Sequence, residues 1–335
     1  MNSIAVVILN WNGKGLLEQF LPSVTKYSPE AVIYVADNAS TDDSLAFVKA
    51  NYPDVKIIEN KGNFGYAKGY NEALKEVEED IYALVNSDIE VTEGWLQPIL
   101  SLFEKDNETA IIQPKILDYK NKSYFEYAGA AGGFIDKYGF PFCRGRIFDT
   151  IEEDKGQYND TTQIFWASGA CFFIRRDAFR TLKGFDEDFF AHQEEIDLCW
   201  RAFNENYKVM FCGESVVYHV GGATLANGSP QKTFLNFRNS LWMMIKNLPS
   251  SKLLLILFSR MVLDGIAGIR HMFRGEFGYL AAILRAHFYF YLKFLHFLSK
   301  RKSKQYKNYY KIKSIVYLYF VQKGRIFDEK FNNTL

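Results

Sequence analysis

Tyr82-Ala-Leu-Val-Asn-Ser-Asp88 is the stretch on which the reading of this chain turns. Ile81 to Val85 is an apolar run with no alternation, which predicts a strand covered on both faces, as in a parallel sheet with helices on either side. The run stops at Asn86-Ser87-Asp88 and resumes as Ile89-Glu90-Val91. All three stopping residues favour turns. In an open α/β sheet, however, ligands gather at the carboxyl ends of strands. A carboxylate fixed there is suited to hold a hard divalent cation, which in turn takes diphosphate oxygens.

Three more units with the same plan precede this one. Ile4 to Leu9 reads as a buried strand broken by Asn10-Trp11-Asn12-Gly13, and Gly15 to Tyr27 as a helix. Ala31 to Ala36 is a second strand ending in Asp37-Asn38. Ser40-Thr-Asp-Asp43 has the form of a capped helix start running to Asn51. Val55 to Ile58 is a third strand, and Gly62-Asn63-Phe64-Gly65 a turn into a helix reaching about Val77. Strand and helix alternating at this pitch predict a parallel sheet.

After Asp88 the rhythm changes. Trp95 to Phe103 is expected as a helix and Ala110 to Ile116 as a strand. Residues 123–160 read as a hairpin or mobile loop, and Ile164 to Ile174 as one strand interrupted at Ser168-Gly169-Ala170. Glu194 through Asn204 is a helix, Val209–Cys212 and Ser215–Tyr218 are two short strands, and Pro230 to Asn247 opens a helical tail.

The formal net charge of +1 conceals a split. Residues 1–243 carry 23 Lys and Arg against 35 Asp and Glu, and residues 244–335 carry 17 against 4. An acidic body with a basic, aromatic tail points to an anionic surface for the tail, and no nucleic acid is expected. The four cysteines lack CxxC spacing, so reduced core thiols are expected. Ile4 to Leu9 is too short for a signal peptide, and no run of eighteen apolar residues occurs. A cytoplasmic protein is expected.

Polar clusters fall at four predicted strand ends: Asn10 and Asn12, Asp37 and Asn38, Asn63 to Asn71, and Asn86 with Asp88. Each alone is commonly turn chemistry. Together they converge on one rim, where amide and carboxylate groups suit a base edge and ribose hydroxyls. The G-x-G-x-x-G of a dinucleotide fold is missing.

These segments, with Val6-Val-Ile-Leu-Asn-Trp-Asn12, Asp37-Asn-Ala-Ser-Thr-Asp42 and Asn63-Phe-Gly-Tyr-Ala-Lys-Gly-Tyr-Asn71, resemble the ordered motifs of family 2 glycosyltransferases. The rhamnosyltransferase-like enzymes of bacterial surface polysaccharides are the most similar branch. Gly184-Phe-Asp-Glu-Asp-Phe-Phe190, Glu194-Glu-Ile-Asp-Leu198 and His219-Val-Gly-Gly222 fit as well, so the resemblance covers about residues 4–245.

The resemblance implies a GT-A type fold: a mostly parallel sheet flanked by helices in residues 1–245, with a helical tail in 246–335. It implies an inverting transfer from a UDP- or dTDP-sugar to a glycan or lipid-linked glycan, with Mg2+ or Mn2+. By match, Asp37 meets the base, with Asn10, Asn12, Asn38, Asn63, Gly65, Asn71 and Asn86 lining the donor site. Asp88 holds the metal, joined by His219, and Glu195 is the catalytic base. Glu194, Asp197 and Trp166 stand on the acceptor side, although core packing is the commoner fate of a buried tryptophan. Without the family, the acids at 194–197 also suit the first turn of a helix, where the dipole favours them. Arg238-Asn239 would pair with phosphate or form a surface salt bridge.

Two rival functions are a sugar-phosphate nucleotidyltransferase and a non-catalytic nucleotide-sugar-binding protein. The tail, with apolar helices, the cluster Lys300-Arg-Lys-Ser-Lys304 and Tyr306, Tyr309 and Tyr310, suits helices lying on the inner face of the cytoplasmic membrane. Its alternative is a helical dimerisation (homodimer) or packing domain, since an amphipathic face buries equally well against protein.

Overall fold

The computed structural model describes residues 2–221 and 229–327. The chain runs β1 (Ile4–Asn10), α1 (Lys14–Tyr27), β2 (Val32–Asp37), α2 (Ser44–Asn51), β3 (Lys56–Glu59), α3 (Gly65–Ala73), β4 (Ile81–Asn86) and β5 (Ile89–Val91). It continues with α4 (Gln97–Lys105), β6 (Thr109–Asp118), β7 (Gly133–Ile135), β8 (Pro141–Cys143), β9 (Arg146–Ile147), β10 (Thr150–Ile151), β11 (Thr161–Gln163) and β12 (Cys171–Arg175). Then follow α5 (Arg176–Thr181), α6 (Glu194–Asn204), β13 (Lys208–His219), α7 (Pro230–Asn247), α8 (Leu253–Phe273), α9 (Phe277–Leu292), α10 (Phe294–Ser299) and α11 (Ile315–Phe320).

The main sheet has the order β11-β13-β6-β12-β4-β1-β2-β3, with β5 added on β13. The strands β3, β2, β1 and β4 are mutually parallel. β12 enters antiparallel between β4 and β6. Alternate residues of β1 confirm the reading of a two-faced strand. Ala5 and Val7 join one core, and Ile4, Val6 and Ile8 the other. The order reverses at β1, which has β2 on one side and β4 on the other, so a crevice opens at its carboxyl end.

Several expectations need correction. Helix α2 begins at Ser44, because Ser40 turns its hydroxyl onto Asp37 and caps nothing. Of the two readings of residues 123–160 the hairpin holds and the mobile loop does not: β7 and β8 pair antiparallel within a second, four-stranded sheet over 133–151, with Phe134, Phe142 and Ile147 buried. Of the strand expected over 164–174 only the end is kept, as β12 from Cys171, since the backbone before it folds against Gly133 and Ser168 accepts from the amide of its own chain neighbour Ala170. The two strands expected over 209–218 are one, β13, with a bulge between Cys212 and Val216. All four cysteines are buried free thiols.

The tail is packed into the same core as the sheet domain. Tyr309 stacks on Trp200, Tyr306 on Phe203, and Phe297 on Trp242. The boundary expected at residue 245 therefore falls within the last turn of α7. Among the described residues, no helix is long and apolar enough to cross a membrane.

Candidate active site

At the ends of β1 and β2, Asp37 is 1% exposed and both its oxygens are taken. Asn10 Nδ2 and Ser40 Oγ donate to Oδ1 at 2.9 and 2.5 Å, and the Ser40 amide donates to Oδ2 at 2.8 Å. Asn12 Oδ1 accepts from the Thr41 amide at 2.7 Å, and its left-handed backbone is one that asparagine tolerates. These groups first knit the loop after β2 onto the loop after β1.

The next layer does the same. Asn38 Nδ2 donates to the Gly65 carbonyl at 2.9 Å, while Asn60 Nδ2 donates to Asn38 Oδ1 at 2.8 Å and to the Gly69 carbonyl at 3.1 Å. Asn71 is a two-way clamp: its amide bonds the Phe185 carbonyl and accepts from the Phe185 amide, both at 2.9 Å. Asn38 and Asn71 thus have their amides committed inside the protein. Asn12 and Asn63 face solvent, and Asn86 is half-exposed. Gly65 has φ +70°, and a Cβ there would stand 2.9 Å from the Phe190 ring and carbonyl, so only glycine fits.

Asp88 follows β4, and the antiparallel register of β5 with β13 sets Ile89 opposite His219. This register brings His219 Nε2 to 3.1 Å from Asp88 Oδ1. On the other side of the ring, Nδ1 lies 3.4 Å from Glu126 Oε1. All three side chains are buried. Burial pushes the imidazole down, but the two carboxylates outweigh it and raise it to about 10. Among the described residues no group of three or more His, Cys, Asp or Glu is arranged as a metal cage. Asp88 fits a divalent ion directly, and His219 joins it as a second protein ligand only when the ion displaces the Nε2 proton now shared with Asp88, the remaining ligands being left to phosphate and water. Gly222, at the end of the His219 motif, lies outside the described residues.

Glu194 and Glu195 open α6. The Oε2 atom of each is buried without a hydrogen-bond partner. Burial raises Glu195 to about 7; burial, and then the Glu195 charge, push Glu194 well above the carboxylate range. The pair is thereby split, one carboxyl held neutral and the other poised to ionise near neutrality. A Cβ on Gly169 would lie 3.8 Å from the Glu195 carboxyl carbon and 3.3 Å from Tyr66 Oη. Tyr66 donates to the Gly169 carbonyl at 2.8 Å, and the Asn86 amide donates to Ala170, so Glu195 and Asp88 lie along one rim.

Two expected acceptor-side residues are built into the scaffold instead. Asp197 is fully buried, bonded by Arg201 at 2.7 Å, Lys246 at 2.8 Å and Asn247 at 2.8 Å. Trp166 is core, its Nε1 donating to the Phe134 carbonyl at 2.9 Å. Among the described residues Arg238 forms no surface salt bridge; it donates to the Phe189 carbonyl at 3.2 Å and lies over the Trp242 ring.

Sequence reasoning missed Glu126, Asn60 and Tyr66 as members of the site. Asn60 was open to the strand-end rule applied to its neighbours, since it directly follows β3. Glu126 had no such signal: only the fold brings it to His219.

Residues 5–183 match the model of glycosyl transferase family 2. An N-acetylglucosaminyl-diphospho-decaprenol L-rhamnosyltransferase of Mycobacterium tuberculosis is 23% identical over 231 residues, covering 64% of this chain and 75% of that protein. The fold is similar to GalNAc-T7 crystallised with UDP, GalNAc and Mn2+, at a TM-score of 0.59 and 18% identity over 75% of this chain and 49% of that one. It is also similar to the mannosyltransferase PcManGT from Pyrobaculum calidifontis in complex with GDP-Man and Mn2+, at 0.54 and 12% identity over 88% and 87%. The match spans more than half of the chain and the sheet is theirs: this protein belongs to glycosyl transferase family 2, a sugar-transferring enzyme of the GT-A fold.

Proposed function

We propose that the enzyme moves a hexose, with rhamnose the leading candidate, from a UDP- or dTDP-sugar to a lipid-linked bacterial surface glycan, with inversion at the anomeric carbon. The observation that carries this reading is Glu195: a buried, unpartnered carboxylate oxygen on a group near pKa 7, packed beside Gly169 and Tyr66. Glu195 takes the proton of the acceptor hydroxyl, the oxygen bonds the anomeric carbon, and the electron pair of the breaking bond leaves with the diphosphate. Asp88 and His219 would hold Mg2+ or Mn2+, whose charge offsets that growing on the leaving group. Glu126 fixes the far side of the His219 ring, as outer carboxylates do for ligating histidines. Lys14, the cation a nucleotidyltransferase would need after β1, faces Glu18 at 3.8 Å and Asp43 at 3.7 Å.

The test is incubation with a panel of nucleotide sugars and Mn2+, with separate assays for nucleoside diphosphate and pyrophosphate. Release of nucleoside diphosphate, strongest with a lipid-linked acceptor, supports transfer. Pyrophosphate release, or binding with no release from any donor, overturns it.

We place this activity at the inner face of the cytoplasmic membrane, a reading the tail supports. Leu254, Phe258, Val262, Ile266, Ile269 and Phe273 form one exposed stripe along α8, and Phe277, Leu284, Phe288 and Leu295 continue exposed along α9 and α10. Arg270, Arg274 and Lys293 are exposed among them. A symmetric dimer through this face would gather the cations of both copies into one interface, whereas anionic lipid attracts each by on the order of 1 kcal/mol. Flotation of the full chain with phosphatidylglycerol vesicles, lost in Phe258→Glu/Phe273→Glu, is the expected result. A dimer in sedimentation with no flotation would make this face a subunit interface.

A further inference from the structure

We infer that Asn239, on α7, is the positioning residue that sets the catalytic carboxylate; this rests on Glu195 being the base. Between Asp186 and α6 the chain makes a turn in which Phe190, His192 and Gln193 all have positive φ, near +65 to +73°. None of the three is glycine, and side-chain-bearing residues hold such a backbone only where surroundings enforce it. One group does so. The Asn239 amide nitrogen donates to the Phe189 carbonyl at 3.0 Å, the Ala191 carbonyl at 2.9 Å and the His192 carbonyl at 2.7 Å. Its own carbonyl accepts from Arg238 Nε at 2.9 Å, which fixes the direction of the amide, and the side chain is fully buried.

The next residue, Gln193, supplies the carbonyl that receives the Asp197 amide at 2.9 Å, the first helical bond of α6. Glu194 and Glu195 therefore take their places directly from the clamped turn. The same turn reaches the donor side, since the Tyr66 amide donates to the Phe190 carbonyl at 3.2 Å. Asn239 lies about forty-five residues beyond Glu195 and touches neither carboxylate, so its effect passes through the backbone.

Asn239→Asp is the decisive variant, because it keeps the volume and replaces the donating NH2 with an oxygen facing three carbonyls. With the full chain, Mn2+ and an accepted donor, kcat falls at least tenfold while the donor KM stays within twofold. The acid limb of the kcat–pH profile, near 7 in the parent, moves by at least half a unit. Backbone amides of residues 190–195 exchange faster by mass spectrometry. Asn239→Ala does the same, and Ile99→Ala, in the distant core, shifts neither limb nor exchange. A packing role predicts instead that the Asp variant keeps kcat within threefold with an unmoved limb, which overturns the inference. So does a loss confined to donor KM, or loss of UDP–Mn2+ binding, which would make the amide a requirement of the whole fold. Normal turnover by Glu195→Gln would instead sink the functional reading, and the exchange measurement is independent of that outcome.

Discussion

The donor rim and the acceptor loop are stabilised over different distances along the chain. At the rim, Asn10 reaches Asp37 and Asn60 reaches Asn38, pairs 27 and 22 residues apart on neighbouring parallel strands. The acceptor loop is tied to partners much further on: Lys246 to Asp186 across 60 residues, and Lys300 to the same carboxylate across 114. The rim is neutral amides with the carboxylates of Asp37 and Asp88, ordered wherever the strands pair. The loop is a buried ion network whose charges are stable only when all partners are present. The rim proposed to take the donor thus comes with the sheet, whereas the placement of Glu195, the proposed base, depends on the C-terminal helices.

The widest separation of the two halves is expected from Glu195→Gln. It keeps the shape and removes the proton acceptor, so kcat falls by roughly 10²–10⁴ while donor binding by calorimetry is unchanged. If Glu194→Gln is the dead variant instead, the base has been misassigned.

Lys246→Met tests the network. It leaves Asp186 and Asp197 without their shared cation, bonded at 2.6 and 2.8 Å, and about 3–5 kcal/mol of stability is lost. Burial alone would raise Asp186, but Lys246 and Lys300 hold it well below the ordinary range. The sign follows: a depressed carboxylate stabilises above its unfolded pKa, and that stability goes as pH falls below the ordinary 3.8 towards the folded value. Denaturant titrations of parent and variant should converge in acid. A constant gap from pH 7 down would show that the pair contributes nothing by charge.

Asp88→Ala addresses the rim. A hundredfold loss of turnover is expected, on the scale of about 3 kcal/mol of transition-state stabilisation, with a matching loss of Mn2+ affinity in metal titration. Full activity after confirmed chelation would remove the metal from the reading.

A milder effect is expected from pH. With Glu195 near 7, kcat should fall tenfold per unit below that value and level off above it. A flat profile between pH 5 and 8 would mean the group titrates elsewhere.

Asn71→Ala should cost the least, about 1–3 kcal/mol for two lost backbone bonds, with donor affinity intact. A drop in affinity larger than the drop in stability would return Asn71 to the list of donor contacts.

Much of this molecule is legible in one dimension. The strands β1 to β4 and their helices follow from apolar runs and turn residues, because local pattern and the right-handed strand–helix–strand crossover leave few other arrangements. Asp88, His219 and Glu195 were reached through the order of the motifs. The small sheet over 133–151 was not, since its strands are two or three residues long and carry no period to detect.

The roles of the polar residues were decided only by the tertiary structure. Sequence put Asp37, Asn38, Asn71 and Asp197 at the site; it could not say whether their oxygens and amides would face a ligand or the backbone. Each is now occupied by a neighbour that packing supplies. Glu195 and Asp197 are two residues apart and chemically alike. Asp197 lies beside Lys246 and is bound; among the described residues Glu195 forms no ion pair, and its Oε2 has no hydrogen-bond partner. A carboxylate's chemistry is set by the charges and dielectric around it, and those come from residues that only the fold brings near.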